Sequence, residues 1–330
     1  MATLSTTNPT MADVAKRYDP DGKIDTIVEM LAETNEILDD MSYIEANLPT
    51  GHRTTVRTGL PSATWRKLNY GVQPSKSQTV QIQDSIGMLE AYAEVDKSLA
   101  DLNGNTGAFR LSEDRAFLES MNQTMASTFF YGDTGLDPEK FMGLAPRFSS
   151  LSAENGQNIL SAGGSGSDNT SVWLVVWGPN TVHGIYPKGS PAGIQHKDLG
   201  EWTLEDAAGG KFQGYRTHYK WDVGMTVRDW RYVVRIPNID ISNLTGDKSG
   251  SSADLTDLMI QACEKIPNFG AGRASWYVNR TVSSFIRRQV LNTNNVRISM
   301  DEVAGKRVLT FDGYPVRRVD SILNTEAVVS

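Results

Sequence analysis

Thr54-Thr55-Val56-Arg57-Thr58 and Thr79-Val80-Gln81-Ile82-Gln83 decide how the first third of this chain is read. Both runs are rich in β-branched residues, as strands are, yet each is polar on at least one face. Between them lie Pro61, Trp65, Gly71 and Pro74, which make a long loop rather than a tight turn. Two polar strands joined in this way form a hairpin that is marginal in water by itself. The segment from Gly51 to about Gln83 therefore needs a surface to lie on: its own domain, as a managed sheet edge, or another molecule.

On the N-terminal side, Ile24, Ile27, Val28, Leu31 and Leu38 recur at helical spacing, with Asp25, Glu29, Glu33 and Glu36 mostly opposite. This predicts an amphipathic helix in search of a partner, isolated by Asp21-Gly22 before it and Asn47-Leu48-Pro49 after it. Residues 1–50 hold ten acids and three bases, a net charge of −7, which equals that of the whole 330-residue chain. Residues 271–330 hold nine bases and five acids, a net charge of +4. Opposite charge at the two ends predicts contact between copies, the basic C-terminal region of one facing the acidic arm of another; two solvated faces is the alternative.

On the C-terminal side, Gly87 to Asp96 is expected to continue as a short helix reaching Leu102, broken at Asn103-Gly104-Asn105. A strong helix follows, with Ser112 as N-cap, Glu113 and Asp114 in its first turn and Gly132 at its end. Its Phe117, Met121, Met125 and Phe129 repeat every four residues and read as a packing face, not a cofactor box. Ser161-Ala162-Gly163-Gly164-Ser165-Gly166-Ser167 reads as a flexible linker or exposed loop and as the internal boundary. Beyond it, Val172–Trp177, Thr217–Val223 and Trp230–Ile236 read as strands, and Asp254–Ile266 as a helix. Trp276–Val278 is a strand running into the helix Arg280–Leu291. Val296–Leu323 reads as a β-meander turning at Gly305 and at Asp312-Gly313.

With 39% hydrophobic residues the chain can build a real core. Its single cysteine, Cys263, excludes an intrachain disulfide framework and suits a reducing compartment. Met1 to Thr10 is polar and does not read as a secretory signal, and Val172–Trp177 is too short to cross a bilayer, so no membrane role is expected. No phosphate-binding loop and no HExxH is present. His52, His183, His196 and His218 stand too far apart for a local metal site, and Gly164-Ser165-Gly166 has no strand leading into it as a nucleophile elbow would. No catalytic residue, cofactor or metal is expected. Arg287-Arg288 and Arg317-Arg318 could meet nucleic acid, but no basic stripe interleaved with aromatics supports sequence-specific binding.

Three stretches together resemble the major capsid proteins of tailed double-stranded DNA bacteriophages, whose fold is called the Hong Kong 97 fold. They are Trp65-Arg66-Lys67-Leu68-Asn69-Tyr70-Gly71-Val72-Gln73-Pro74-Ser75-Lys76-Ser77 with Leu89-Glu90-Ala91-Tyr92-Ala93-Glu94-Val95-Asp96, similar to that family's extended hairpin and its return strand; Phe129-Phe130-Tyr131-Gly132-Asp133 with Phe141-Met142-Gly143-Leu144-Ala145-Pro146-Arg147; and Thr310-Phe311-Asp312-Gly313-Tyr314-Pro315-Val316-Arg317-Arg318-Val319-Asp320, like the family's late strand pair. The chain is most similar to capsid proteins of short-tailed phages. The resemblance implies an α+β fold with an N-terminal arm (1–50), an extended hairpin or E-loop (51–86), a peripheral domain (87–171) with a spine helix at 112–131, an axial domain in much of 172–295, and C-terminal strands (296–330) returning to the peripheral domain.

It also implies self-assembly into pentamers and hexamers of an icosahedral head, put together in the host bacterial cytoplasm and resident in the virion. The implied partners are a portal protein, a scaffolding protein, a decoration or cement protein, and loosely held packaged DNA. Candidate contacts between subunits are Asp25, Glu29, Glu33, Arg57, Trp65, Arg66, Lys76, Arg317 and Arg318. Some relatives lock the shell with a lysine–asparagine bond, but nothing here singles out the residues for one, so the shell is expected to be non-covalent. Removing residues 1–48 is expected to leave a soluble, poorly assembling subunit. An encapsulin-like nanocompartment shell is the alternative within the same fold, and a cytosolic α+β hydrolase the alternative outside it.

Overall fold

The computed structural model describes residues 33–102, 106–206, 208–247, 250, 252–291, 298–303 and 306–330. In chain order the elements are α1 (Ile37–Asp40), β1 (Tyr43–Glu45), β2 (Gly51–Gly59), β3 (Gln78–Asp96), α2 (Lys97–Ala100), α3 (Thr106–Tyr131), α4 (Leu144–Arg147), β4 (Asn169–Trp177), β5 (Val182–Tyr186), β6 (Gln195–Glu205), β7 (Lys211–Val227), β8 (Val233–Asp240), α5 (Leu255–Lys265), β9 (Arg273–Val278), α6 (Arg280–Leu291), β10 (Ile298–Val303), β11 (Lys306–Phe311) and β12 (Tyr314–Arg318). The main strand path runs β10-β11-β12-β9-β4-β5-β7-β3-β2, with β1 on β5, β6 on β7 and β8 on β4.

Strand β4 is buried at every position, which is why Val172–Trp177 is a continuous apolar run and not an alternation. Its side chains point to opposite faces in turn. Trp173, Val175 and Trp177 enter a core formed with Met121, Met125, Phe129 and Phe130 of α3. Val172, Leu174 and Val176 enter a second core with Met259 and Ala262 of α5 and Val282 and Ile286 of α6. One strand thus joins the long helix on one side to the two amphipathic helices on the other. The four-residue repeat in α3 is a packing face as expected: Met121, Met125 and Phe129 are all buried.

Several expectations are corrected. Helix α3 begins at Thr106, so Ser112 lies within it and is not its N-cap. Gly87–Asp96 is strand, the second half of the 19-residue β3, and helix is confined to Lys97–Ala100, capped by Asp96. Eleven paired positions along β7 hold that half of β3 extended, and this pairing overrides the helical propensity of its Met, Leu, Glu and Ala residues. Of the two readings of the Gly/Ser-rich stretch, linker or exposed loop, the structure shows an exposed loop, tied to β8 by the Ala162 and Gly164 amides, which donate to the carbonyls of Pro237 and Asn238.

The acidic arm is not isolated either. Most of the helix expected from Ile24 to Leu38, and with it Asp25 and Glu29, lies outside the described residues. Its end, however, is built into the core: Ile37 and Met41 are buried in the first cluster, and β1 pairs in parallel with β5. Asp312 and Gly313 have φ of 52° and 81° and turn β11 into β12 as the sequence predicts; Gly305 lies outside the described residues.

Candidate assembly surface

The hairpin is the outermost part of the sheet. Strand β2 pairs with β3 from Gly51 opposite Ser85 to Gly59 opposite Gln78, and β2 is the end of the strand path. Nine residues extend about 30 Å. Beyond the strands, residues 60–76 are exposed without exception. Trp65 is fully exposed, Leu60 and Leu68 are more than 80% exposed and Tyr70 is 70% exposed. Large exposed apolar side chains are thus concentrated in one projection, a pattern that single surface residues scattered over a monomer do not make. The tip is nonetheless ordered within itself: the Tyr70 amide donates to Lys67 O (3.2 Å), Asn69 takes a φ of 67°, and Ser75 Oγ donates to Ser62 O (2.9 Å).

Its charge is one-sided. Between Glu45 and Asp84 there is no acid, while Arg53, Arg57, Arg66, Lys67 and Lys76 are all basic. This run was open to a residue-by-residue reading and is missed when charge is summed only over the chain ends. Arg57 stands in β2 beside a groove of about 940 Å³ that the hairpin forms with the Asp229–Arg231 turn, with Arg53, Arg228 and Glu154 also lining it. Trp65, Arg66 and Lys76 all project from the loop into solvent.

The root of the hairpin is rigid and buried. Gly51 is required there because a β-carbon would overlap the Asp84 carbonyl. The Asp84 carboxylate accepts from Arg147 Nη2 at 2.7 Å and from the Thr226 hydroxyl. Two histidines that are distant in sequence meet beside it: the rings of His52 and His183 lie 6.0 Å apart and nearly perpendicular, and both residues are buried. The Asn47 amide donates to His52 Nδ1 (3.3 Å), so that nitrogen is unprotonated. Burial, then the charge of Arg228, pushes His52 below the usual imidazole range and His183 down to about 4. The remaining histidines pack on tyrosines, His218 stacked on Tyr92 and His196 tilted against Tyr219, and among the described residues no three His, Cys, Asp or Glu side chains group as metal ligands.

At the other end, the attraction expected between chain termini of different copies is met at Arg317 within one chain. Its guanidinium holds Asp40 through Nε and Nη2, both at 3.1 Å, and Glu36 through Nη1 at 2.9 Å. Tyr277 OH also donates to Asp40 (3.2 Å). Arg318 is exposed. Glu33 is half-buried, its amide donating to Glu119 Oε1 at 2.8 Å. Among the described residues the candidates therefore divide into a hairpin group (Arg57, Trp65, Arg66, Lys76) and a group at or near α1 and β12 (Glu33, Arg317, Arg318), with no hydrogen bond or ion pair between the two.

A family described as Major capsid protein GP7 matches residues 19–330. The chain belongs to this family of capsid proteins. It is 42% identical to a chain in the structure of bacteriophage Epsilon15, with all of this chain and 99% of that one aligned at a TM-score of 0.77. The capsid of bacteriophage JBD30 is similar at 10% identity and a TM-score of 0.48, covering 89% of this chain and 93% of that one. The SrpI encapsulin of Synechococcus elongatus PCC 7942 is similar at 9% identity and 0.45, covering 70% and 96%. No curated protein matches. The capsid protein is thus an α+β subunit of the Hong Kong 97 type and a structural component of the phage particle, assembling with copies of itself. Among the described residues no helix is long and apolar enough to cross a membrane.

Proposed function

We propose that this capsid protein closes into an icosahedral head of pentamers and hexamers around double-stranded DNA, and that the hairpin 51–86 is the arm by which each copy overlaps its neighbour. The observation that carries this reading is the hairpin itself, a basic projection with Trp65, Leu68 and Tyr70 in solvent and no core beneath them. Identical copies that bury the same patch repeatedly build closed shells through heterologous contacts. A portal, a scaffolding protein and a decoration protein are the further partners of such a head, the packaged DNA is held loosely, the shell is non-covalent, and the subunit has no catalytic role.

Electron micrographs and sedimentation of the full-length protein test the reading. Closed particles are expected; a small monomer or dimer under all assembly conditions contradicts it. Nuclease-protected genomic DNA in particles from infected cells separates a phage head from a cargo-holding compartment. Arg57→Glu with Arg66→Glu should lower particle yield, and boiled particles should run as single subunits on a denaturing gel, where a covalent ladder would refute the non-covalent shell.

A further inference from the structure

The direction of the hairpin is set at its root. Strand β3 pairs with β2 as far as Ser85 and with β7 from Ile86 onward, so the hairpin leaves the body of the sheet between these two residues. His52 and Asp84 are paired next to this point, and both are buried. Four groups of the body close around them. His183 of β5 lies with its ring 6.0 Å from that of His52. Arg147 of α4 and Thr226 of β7 both donate to the Asp84 carboxylate. Arg228, just after β7, acts by its charge on both imidazoles. Asp84 is the carboxylate that faces the two rings.

The closed root has no place for a second proton on His52. Its Nδ1 accepts the Asn47 amide hydrogen (3.3 Å), so the ring's one hydrogen is on Nε2, and that atom is buried without a partner. A proton added to Nδ1 would point at the Asn47 N–H, donor against donor. Asn47 also fastens the turn before β2, its Nδ2 donating to Arg53 O (2.7 Å) and its Oδ1 accepting from Arg53 N (2.8 Å), so a His52 that moves outward pulls on this turn. His183 Nδ1 lies 3.3 Å from the Gly178 carbonyl and carries its hydrogen, which leaves Nε2 to take the second. With both rings charged, His52, His183, Arg147 and Arg228 confront a single carboxylate that Arg147 already holds. Cations crowded into a buried site repel one another, and water is the stable place for them.

We infer that the hairpin root is an acid-operated hinge: protonation of His52 and His183 drives β2 away from β5 and frees the hairpin to swing about Ser85–Ile86 while both hydrophobic cores stay closed. The hinge stands on the geometry of the root and holds whether or not the hairpin is the arm that overlaps a neighbour. Burial and the Arg228 charge lower the proton affinity of both rings, so the root is closed at neutral pH and opens as pH falls below the ordinary imidazole range. Loss of the Asp84 charge, which would release Arg147, is the competing cause of an acid opening.

Hydrogen–deuterium exchange of the full-length, unassembled subunit at about pH 7 and about pH 4.5, corrected for the intrinsic effect of pH on exchange, tests the hinge. Residues 46–53 and 83–86 should exchange about tenfold faster or more in acid, while residues 121–130 and 172–177 keep their protection. His52→Gln/His183→Gln should abolish the acid step, with circular dichroism and the urea midpoint at neutral pH reporting that this variant is folded. Equal acceleration of root and core is global acid unfolding and overturns the hinge. An acid step that survives in the folded double variant belongs to Asp84 and overturns it too, as does the absence of any step. If the double variant misfolds, carbon-13-labelled histidine in the unaltered protein decides: two imidazole signals must titrate over the same pH interval as the exchange step, and a step completed while they remain neutral overturns the hinge.

Discussion

Glu326 shows how much the fold depends on single buried groups. Its carboxylate accepts from Arg235 Nη2 (2.8 Å), Tyr131 OH (2.5 Å) and the Ser171 hydroxyl, and the Arg235 and Glu326 side chains are both 4% exposed. Replacing it with alanine strands a guanidinium in the core and should cost about 3–5 kcal/mol, read from the urea midpoint of the unassembled subunit. The histidine pair gives a pH prediction. His183 titrates near 4 when folded against about 6.5 unfolded, so the unfolded chain takes up its proton first. Stability from this group is complete above about 6.5 and is lost as pH falls toward 4, by up to about 3 kcal/mol. His52 shifts in the same direction, while the Asp84 charge opposes both shifts and Arg228 adds to them. The urea midpoint should fall over that window, and His183→Gln should flatten the curve. None of this was legible in the sequence, where His52 and His183 stand 131 positions apart: only the pairing of β2 with β3, β3 with β7 and β7 with β5 brings them together.

At the scale of elements, legibility followed how local the determining interaction is. Helix α5 begins at its Asp254 cap and the β11–β12 turn falls at Asp312-Gly313, both as read from neighbouring residues. The packing face of α3 was equally plain, because its period is set within the helix. The local pattern of Gly87–Asp96 suggests helix while its conformation is set by β7, more than a hundred residues later, whereas the family resemblance gives Leu89–Asp96 as the strand it is. The acidic arm was misdivided for the same reason: nothing near Ile37 reveals that Arg317 and Val319 will pack against its segment. A consequence is testable by truncation. Deleting residues 1–32 should leave a cooperatively folding subunit, whereas deleting 1–48 removes Ile37, Met41, Asp40 and β1 and should yield insoluble or protease-sensitive chain. This revises the expectation that the longer deletion stays soluble. Limited proteolysis and solubility of the two products distinguish the outcomes.

For the molecule as a whole, stability and assembly reside in different surfaces. Trp65, Leu68 and Tyr70 contribute nothing to either core, so replacing all three with serine should leave the unassembled subunit's urea midpoint within about 0.5 kcal/mol of the original while particle yield collapses. A matching loss in both measurements would refute that separation. The segment after β12 ties distant parts of the subunit together. Val319 and Asp320 bind Val278 and Thr34, Ser321 binds Asn35, Glu326 binds Arg235, and Val329 binds Asn238. Residues 319–329 thereby act as a clasp that ties the stretch before α1 to β8 and β9, and a protease that clips this segment should expose the Thr34–Asp40 stretch to cleavage in the same step.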